Sequence, residues 1–252
     1  MRITAWHDPD LDRYASAMDD RILGIVGGTG PESTIDYYRS IIATWRRRRP
    51  DGTYPRIVID SVDGGTVIGQ LGAGEYAAVG LVFGRALAQL AAAGCGKAII
   101  ASNAGHLAFE HIDPPAPIGL LHIIDAARDA AVAAGHRRLG IIGTRFVTQS
   151  RLYPDRFEPV GIEIVTPSPD EQDTVHAIYL GELVEGVLRD ESRDRLVAVI
   201  AALRDRSGVD GIILGGTELA LILTEPTYAD VPILDTARIH VDAAVDWLLG
   251  ER

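Results

Sequence analysis

Residues 211–218 read GIILGGTE, a short apolar run that ends in two adjacent glycines, a threonine and a glutamate. An apolar run of this length ahead of a glycine turn is typical of a buried strand. A second apolar run follows the turn and indicates a helix. In a parallel sheet, ligands bind beside such strand-to-helix turns. Gly216 therefore raises a question, because glycine stands where a reactive side chain would face a ligand.

The same strand-and-turn pattern recurs along the chain. Short runs rich in isoleucine, valine and leucine alternate with longer helical stretches, such as residues 75–94 and 173–208. Runs that are apolar on both faces are typical of parallel strands covered by helices. The alternation therefore predicts an α/β fold. The predicted strands are residues 22–27, 56–62, 97–102, 118–123, 138–143, 162–166, 211–215 and 231–235.

The second half of the chain contains the same kinds of structural unit as the first half, in the same order. Three segments, each a strand, a small polar turn and a helix, have partners in the same order. They are GIVGGTGPEST (24–34) with GIIGTRFVTQS (140–150), KAIIASNAGHL (97–107) with DGIILGGTELA (210–220), and LLHIIDAARDAAV (120–132) with VPILDTARIHVDAAV (231–245). The order predicts two pseudo-symmetric lobes, with parallel sheets flanked by helices, facing each other across a cleft.

The repeat also predicts the domain boundaries. Lobe 1 is expected to contain residues 22–117 together with a C-terminal return at 233–252. Lobe 2 is expected to contain residues 118–232. The first residues, 1–21, have weak periodicity and are interpreted as an N-terminal extension.

The composition narrows the class of protein. The chain has 252 residues, of which 47% are hydrophobic, enough for one large or two small domains with a core. A formal net charge of -11 disfavours binding to nucleic acid or anionic membranes. The one basic run, Arg46 to Arg49, is expected at a helix end, where the dipole favours cations.

Targeting signals are not apparent. The single cysteine excludes an intrachain disulfide, and no apolar run reaches the ~18 residues of a membrane span. The N-terminus lacks the apolar region of a signal peptide. A cytoplasmic location is therefore expected.

Four small turns are expected to meet in the cleft, beyond the carboxyl ends of the strands. Helix N-termini there offer free N–H groups and a positive dipole end, which suit an anion. The turns suit a carboxylate better than a nucleotide, because no dinucleotide or P-loop glycine spacing is present. The histidines lack metal-ligand spacing, so no metal is expected. The turns are residues 27–30, 102–106, 143–145 and 215–218.

Taken together, the motifs resemble the aspartate/glutamate racemase superfamily, and most closely its aspartate-racemase and broad-specificity amino-acid-racemase branch. The resemblance covers about residues 22–250 and rests on GIVGGTGPESTIDYYRSI, SNAGH, LLHIID, LGIIGTRF, IYLGELVEGVLRDESR, GIILGGTEL and PILDTARIH. It implies a two-lobed α/β homodimer with the active site between the lobes and without cofactor or metal. It also implies two cysteines, on opposite sides of the substrate Cα, acting as acid and base.

Both of these cysteines are missing. The first position falls on Ser102 and the second on Gly216. Two-sided proton transfer at a weakly acidic Cα–H needs a group on each face. Cys95 cannot substitute, because seven strand residues at ~3.3 Å each place it about 20 Å from Ser102. The sequence therefore predicts a racemase scaffold with changed chemistry.

Ser102, His106 and Glu218 are the candidate catalytic residues. A serine hydroxyl donates a hydrogen bond, or attacks when a base activates it. His106 lies one helical turn further and matches a family histidine, although helix packing is an alternative. Glu218 is either a proton-handling group or a first-turn acid favoured by the dipole. The predicted substrate-binding residues, several of which are alternatively helix caps, are Gly28, Thr29, Thr34, Asn103, Thr144, Gly216 and Thr217.

Three functions remain open from the sequence. The first is a superfamily isomerase, lyase or cyclase that acts on a small carboxylate or amino-acid-derived substrate by non-thiol chemistry. The second is a non-catalytic carboxylate-binding protein. The third is a residual amino-acid racemase with a rearranged acid/base pair. The retained hydroxyls and Glu218 favour an enzyme, whereas the missing thiols favour a binding protein.

Overall fold

A computed structural model describes residues 21–251, and residues 1–20 and 252 lie outside the described part. The predicted N-terminal extension, 1–21, therefore falls almost entirely outside it. The described residues form two sheets. Their strands are β1 (Ile22–Gly27), β2 (Arg56–Ser61), β3 (Lys97–Ile100), β4 (Gly119–Leu121), β5 (Arg138–Ile142), β6 (Glu163–Val165), β7 (Gly211–Leu214), β8 (Thr227–Tyr228) and β9 (Val231–Asp235).

The two sheets have equivalent strand orders. The first is β2-β1-β3-β4 and the second is β6-β5-β7-β9-β8. All pairs are parallel except the antiparallel pair of β8 with β9. Each predicted partner pair, β1 with β5, β3 with β7, and β4 with β9, occupies the same place in its sheet. This order confirms the two-lobed α/β fold with parallel sheets.

Helices cover both sheets. They are α1 (Pro31–Arg48), α2 (Gly64–Gly72), α3 (Tyr76–Ala92), α4 (Ile123–Ala134), α5 (Arg145–Thr148), α6 (Pro154–Phe157), α7 (Pro169–Gly181), α8 (Asp190–Ser207), α9 (Leu219–Ile222) and α10 (Thr236–Leu249), with 3-10 turns at Ala104–His111, Glu158–Val160 and Leu183–Glu185. The stretch predicted as helical over 173–208 is divided between α7 and α8. Gly186, with φ of 71°, ends the intervening turn in a conformation that favours glycine.

The central strands are buried because their side chains alternate between two helical layers. In β1, Leu23 and Ile25 pack in the cluster that contains Val241 and Val245 of α10. Val26, on the opposite face, packs in the cluster that contains residues of α2 and α3. Each fully buried aliphatic side chain of this kind contributes about 1.5–3 kcal/mol to folding. The carboxyl end of β1 is thereby held in one place.

Strand β4 lies in the first sheet, where it pairs with β3. The predicted boundary between residues 117 and 118 instead groups this strand with lobe 2. Strand β9 lies in the second sheet, and α10, which follows it, packs against α1, α4 and β1. The division into lobes as folding units stays a prediction.

The basic run at the end of α1 is paired with acidic side chains. Arg48 lies 2.5 Å from Asp246 and also contacts Glu251, and Arg49 lies 2.6 Å from Asp51. These contacts, and the position in the last turn of α1, confirm the interpretation of the run as a helix end. Within residues 21–251, no helix is long and apolar enough to cross a membrane.

Candidate active site

Four strand-to-helix turns meet between the two sheets and line one inner cavity. Ser102 and Ala104 follow β3, Thr144 follows β5, and Glu218 follows β7. The turn after β1 contributes two further residues. Apolar side chains and one phenol complete the wall, so that the lining is Thr29, Gly30, Ile68, Leu71, Ser102, Ala104, Thr144, Phe146, Tyr179, Leu180, Val184, Gly215 and Glu218. Because the strands that precede these turns are parallel within each sheet, the turns lie together at the carboxyl ends of the strands.

The inner cavity is small in this conformation. Its volume is about 30 Å³, which is room for one or two water molecules. An amino acid or a dicarboxylate does not fit beside the present side chains. The conformation is therefore a closed one, and a ligand enters only when part of the wall moves.

Tyr179 explains the glycine at position 216. A Cβ on Gly216 would lie 2.3 Å from Cε2 of Tyr179 and 2.8 Å from both Cζ and the hydroxyl oxygen. The backbone at Gly216 does not have a positive φ, so it is side-chain space, rather than backbone conformation, that requires glycine. The phenol of Tyr179 occupies the space into which a side chain at position 216 would project.

Tyr179 and Glu218 form a buried hydrogen-bonded pair. The Tyr179 hydroxyl donates to Oε2 of Glu218, and the Thr217 hydroxyl donates to the same oxygen over 2.9 Å. The other oxygen, Oε1, lies against Gly30, where a Cβ would be 1.7 Å away. Only glycine therefore lets lobe 1 approach the carboxyl group this closely.

Burial governs the protonation of this pair. Removal from water raises the pKa of Glu218, and this effect outweighs the opposing effect of the hydrogen bonds from Tyr179 and Thr217. Burial, followed by the nearby Glu218 charge, raises the pKa of Tyr179 well above its usual value. The phenol therefore stays protonated, and the carboxyl group is the member of the pair that takes up or releases a proton.

Ser102 lines the cavity, and His106 is hydrogen-bonded to its carbonyl oxygen. The Ser102 Oγ accepts a hydrogen bond from the Gly105 N–H over 3.1 Å. His106 Nδ1 donates to the Ser102 carbonyl oxygen over 2.7 Å. Burial, and then the neighbouring His240, lower the pKa of His106 to about 3, so its ring is neutral. His106 is absent from the cavity lining and contacts the backbone of Ser102, so its predicted catalytic role stays a prediction.

Asn103 was predicted to bind substrate, but both polar atoms of its side chain are hydrogen-bonded to other residues of the protein. Its amide donates to Thr236 Oγ1 over 3.0 Å, and its oxygen accepts a hydrogen bond from Tyr153 over 2.5 Å. Thr236 in turn donates to the carbonyl oxygen of Leu214, at the end of β7. Asn103 thus ties the turn after β3 to the second sheet.

Two further predicted binders shape the turn after β1. Thr34 Oγ1 accepts from the Gly28 N–H over 2.8 Å and donates to the Gly30 carbonyl over 3.0 Å. Gly28 has φ of 89° and no room for a Cβ, which would lie 2.2 Å from the Val62 carbonyl oxygen. Gly28, Thr34, Asn103, Gly216 and Thr217 do not line the cavity. Of the predicted substrate-binding residues, Thr29 and Thr144 do.

Thr144 offers a free hydroxyl to the cavity. It precedes α5 as the N-cap residue, yet its side chain makes no capping hydrogen bond. Its Oγ1 is buried and has no hydrogen-bond partner among the described residues. A buried unpaired hydroxyl costs about 1–3 kcal/mol, and a bound oxyanion would satisfy it.

Replacing Thr144 by valine is expected to raise the unfolding free energy by about 1 kcal/mol, because the unpaired hydroxyl is removed at nearly constant volume. Thr148→Val is the matched control one turn later. The single hydroxyl proton of Thr148 is shared between two acceptors, the Thr144 carbonyl oxygen at 3.3 Å and the Gln172 side-chain oxygen at 3.2 Å. Its loss should lower stability by about 1 kcal/mol. Urea unfolding measures both; destabilisation by Thr144→Val would contradict the assignment.

Several residues of the site were missed by the sequence analysis. Tyr179 lies in an apolar helical pattern and reads as a core residue. Tyr153 and Thr236 act only through Asn103. His122 and His240 lie near His106, with ring centroids 4.4 and 6.4 Å from its ring. The one available signal was the segment IYLGELVEG of the resemblance, which contains Tyr179.

Two repeated parallel α/β lobes that enclose a small cavity at their strand ends define a protein of the two-lobed racemase class. The chain belongs to the Asp/Glu/Hydantoin racemase family, whose model matches residues 26–244. Membership in a family of racemases places the protein, at this coarse level, among enzymes.

Solved structures agree with this assignment, and one further relative is similar to about half of the chain. The fold is similar to that of a candidate Asp/Glu racemase from Yersinia pestis, at 33% identity and a TM-score of 0.80, covering 91% of this chain and 99% of that one. An aspartate racemase homologue from Pyrococcus horikoshii OT3 matches at 28% identity and a TM-score of 0.77, with the same coverage. An uncharacterized Pectobacterium carotovorum protein encoded in the pnlA 3′ region is 30% identical over 134 residues, 51% of this chain and 84% of the relative.

Proposed function

We propose that the protein is an acid–base enzyme of isomerase or lyase type that acts on a small carboxylate without thiol chemistry. The observation that carries the proposal is the Tyr179–Glu218 pair. Its phenol stands beside position 216, and its carboxyl group is buried next to Gly30 of the opposite lobe. A buried carboxyl group with a raised pKa is suited to proton transfer near neutral pH.

The proton transfer follows from the hydrogen-bond direction. As the carbon–hydrogen bond of the substrate breaks, its proton passes to the Tyr179 oxygen while the Tyr179 proton passes to Oε2 of Glu218. The electron pair of the broken bond moves toward the substrate carboxylate, giving an enolate. No free phenolate forms, which is required by the raised pKa of Tyr179. Return of a proton along the same path to the same carbon completes an exchange, and protonation of a different atom or face of the enolate completes an isomerisation.

Other residues of the cavity lining supply groups for the carboxylate and the developing negative charge. Ser102 and Thr144 carry hydroxyls at the cavity, and Thr29 lies at the turn before α1. Helix α1 begins beside the cavity at Gly30, which has no side chain to cap it. Its N–H groups and positive dipole end favour an anion. Hydrogen bonds aimed at an enolate oxygen stabilise the transition state.

A non-catalytic carboxylate-binding protein is the second candidate. It is favoured by the small closed cavity and by the replacement of both thiols. The two candidates differ in one measurable respect. A binding protein takes up a carboxylate without exchanging its neighbouring hydrogen for solvent hydrogen.

The test is hydrogen exchange in D₂O. The purified protein is incubated with 2-methylmalonate, oxaloacetate, 2-oxoglutarate, aspartate and glutamate. Proton NMR follows the most acidic carbon-bound hydrogen against a protein-free blank; it lies beside a carboxylate in each compound except 2-oxoglutarate, where it lies beside the ketone. We expect exchange in at least one of the more acidic compounds and little in aspartate or glutamate. Tyr179→Phe should lower that exchange by about 10²-fold or more.

Tyr37→Phe is the matched control for the loss of a buried phenol. The Tyr37 hydroxyl bonds to His240 Nδ1 over 3.1 Å, outside the cavity, and this variant should keep wild-type exchange. Binding of a carboxylate without exchange in any compound would reject the enzyme in favour of the binding protein. Rapid exchange of aspartate that survives Tyr179→Phe would show that the acid–base pair lies elsewhere.

A further inference from the structure

A second, larger cavity lies next to the inner one. Its volume is about 580 Å³, within the range of small-molecule sites. One wall comes from the end of α2 and the turn that follows it, in lobe 1. The other wall comes from α5 and the residues after it, in lobe 2. The lining is Leu71, Gly72, Ala73, Gly74, Tyr76, Arg145, Phe146, Gln149 and Ser150.

Leu71 and Phe146 form the partition between the two cavities, because both side chains line both of them. The Phe146 ring packs edge-on against His176, with ring centroids 5.3 Å apart. It lies two residues after Thr144, which faces the inner cavity. Rotation of this ring would join the inner cavity to the larger one. The outer cavity is therefore the side from which a ligand reaches the Tyr179–Glu218 pair.

The outer cavity has no unbalanced charge. Arg145 is its one charged lining residue, and its guanidinium lies 2.6 Å from Asp173. The polar side chains are also engaged: Ser150 donates to the Val147 carbonyl over 2.8 Å, and Gln149 donates to Gln172 over 3.2 Å. A second carboxylate would therefore find no free cation in the lining.

Part of the remaining surface is apolar and suits a flat apolar group. Tyr76 and Phe146 supply two aromatic side chains, one from each lobe. Gly72 and Ala73 add backbone and one small side chain to the lining, and the Phe146 ring lies beside Gly72. Aromatic groups pack well against such rings, with preferred offset or edge-to-face geometries.

We propose that the substrate is an extended carboxylate whose uncharged aromatic tail occupies the outer cavity, while its carboxylate lies in the inner one. The inference rests on the proposed function for the position of the carboxylate. Phe146 separates the two parts, so the substrate is long enough to pass it. The outer cavity thus determines specificity for the tail.

The test compares two homologous series of ligands by isothermal titration calorimetry. One series is the straight-chain carboxylates from acetate to hexanoate. The other carries a terminal phenyl ring, from phenylacetate to 6-phenylhexanoate. We expect at least one phenyl compound to bind tenfold or more tightly than the straight-chain acid of equal chain length. The chain length of the phenyl compound that binds most tightly gives the distance between the inner carboxylate site and the part of the outer cavity that holds the phenyl ring.

Ala73→Trp fills the outer cavity, and Ala93→Trp is its matched control. Both alanines are exposed C-cap residues with similar backbone angles, φ -84° and ψ -4° for Ala73, φ -77° and ψ 1° for Ala93. Ala93 does not line the cavity. Ala73→Trp should abolish the tenfold preference for the ring, and Ala93→Trp should keep it.

Three results would overturn the proposal: no preference for the phenyl series in the wild type, a preference that survives Ala73→Trp, or an equal loss of both series in that variant. Failure of the inner carboxylate site, the part of the proposed function on which the inference rests, gives a different pattern. In that case the straight-chain acids do not bind, while a phenyl compound binds and Ala73→Trp removes it. Absence of binding in both series rejects the inner carboxylate site and the outer site for the aromatic tail alike.

Discussion

The double variant Ser102→Cys/Gly216→Cys is expected to be less stable than the wild type and inactive in hydrogen exchange of aspartate and glutamate. A Cβ at position 216 would lie 2.3 Å from the Tyr179 ring, closer than real contacts allow. Overpacking of this kind costs about 1–3 kcal/mol, and sometimes more. A second thiol therefore cannot enter the site while Tyr179 stays in place.

Adding Tyr179→Leu should reverse both effects. Leucine keeps the inner part of the side chain and removes Cε2, Cζ and the hydroxyl, the three atoms that oppose a Cβ at position 216. The triple variant should recover most of the lost melting temperature. It should also exchange the Cα hydrogen of aspartate or glutamate, because the two thiols of the family would then face a cavity whose carboxylate-binding turns are unchanged.

Calorimetry and proton NMR in D₂O test this pair of variants, with Tyr179→Leu alone as the control for the lost phenol. The single variant should lose the native proton transfer and gain no exchange of aspartate. A double cysteine variant with the melting temperature of the wild type would contradict the occupation of the site by Tyr179. A stable triple variant without exchange would contradict the expectation that the turns around the cavity still bind a carboxylate.

Glu218→Gln is expected to abolish activity and yet to stabilise the protein at alkaline pH. Loss of the proton acceptor should lower turnover by about 10²–10⁴-fold. The amide still accepts the Tyr179 hydrogen bond but carries no charge into the buried site. At pH 8 the melting temperature should rise by about 2–4 °C, which corresponds to about 1 kcal/mol in a protein of this size.

The direction of this stability change follows from the way the protonation of Glu218 depends on pH. Burial raises the folded-state pKa of Glu218 above its unfolded value of 4.5, so the folded state holds the proton more tightly. This contribution to stability is fully present below about pH 4.5 and is lost as the pH rises through the folded pKa. The advantage of Glu218→Gln should therefore be small at pH 4 and grow toward pH 8.

Urea unfolding at pH 4, 6 and 8 measures this difference. Glu225→Gln is the matched control, because Glu225 is an exposed glutamate and the comparison of the two variants isolates the effect of burial. If Glu218→Gln were destabilising by the same amount at every pH, the carboxyl group would be a structural acceptor rather than a proton-handling group held at a cost in stability.

Much of the fold was predictable because it depends on local patterns. The predicted strands agree with the observed ones to within two residues at each end. The short strand β8 was not predicted, since two residues carry too little pattern. The internal repeat gave the equivalent strand orders of the two sheets, because each repeat unit folds by the same rules of strand, turn and helix.

The candidate site was predictable only in part. Thr29, Ser102, Thr144 and Glu218 follow parallel strands, and strand direction alone brings such turns together. Whether a polar side chain in such a turn faces the cavity or the protein is not a local property. Asn103 is engaged by Tyr153 and Thr236, which are 50 and 133 residues away in the chain.

By itself, the sequence determined the two-lobed α/β scaffold, the turns that meet between the lobes, and the absence of thiols at Ser102 and Gly216. Only the tertiary structure decided why position 216 is glycine. Tyr179, which bonds to Glu218 across 39 residues of sequence, fills that space with its phenol. Strand and helix patterns arise between neighbours in the chain. Steric exclusion arises between neighbours in space, and these are fixed only when the lobes have packed.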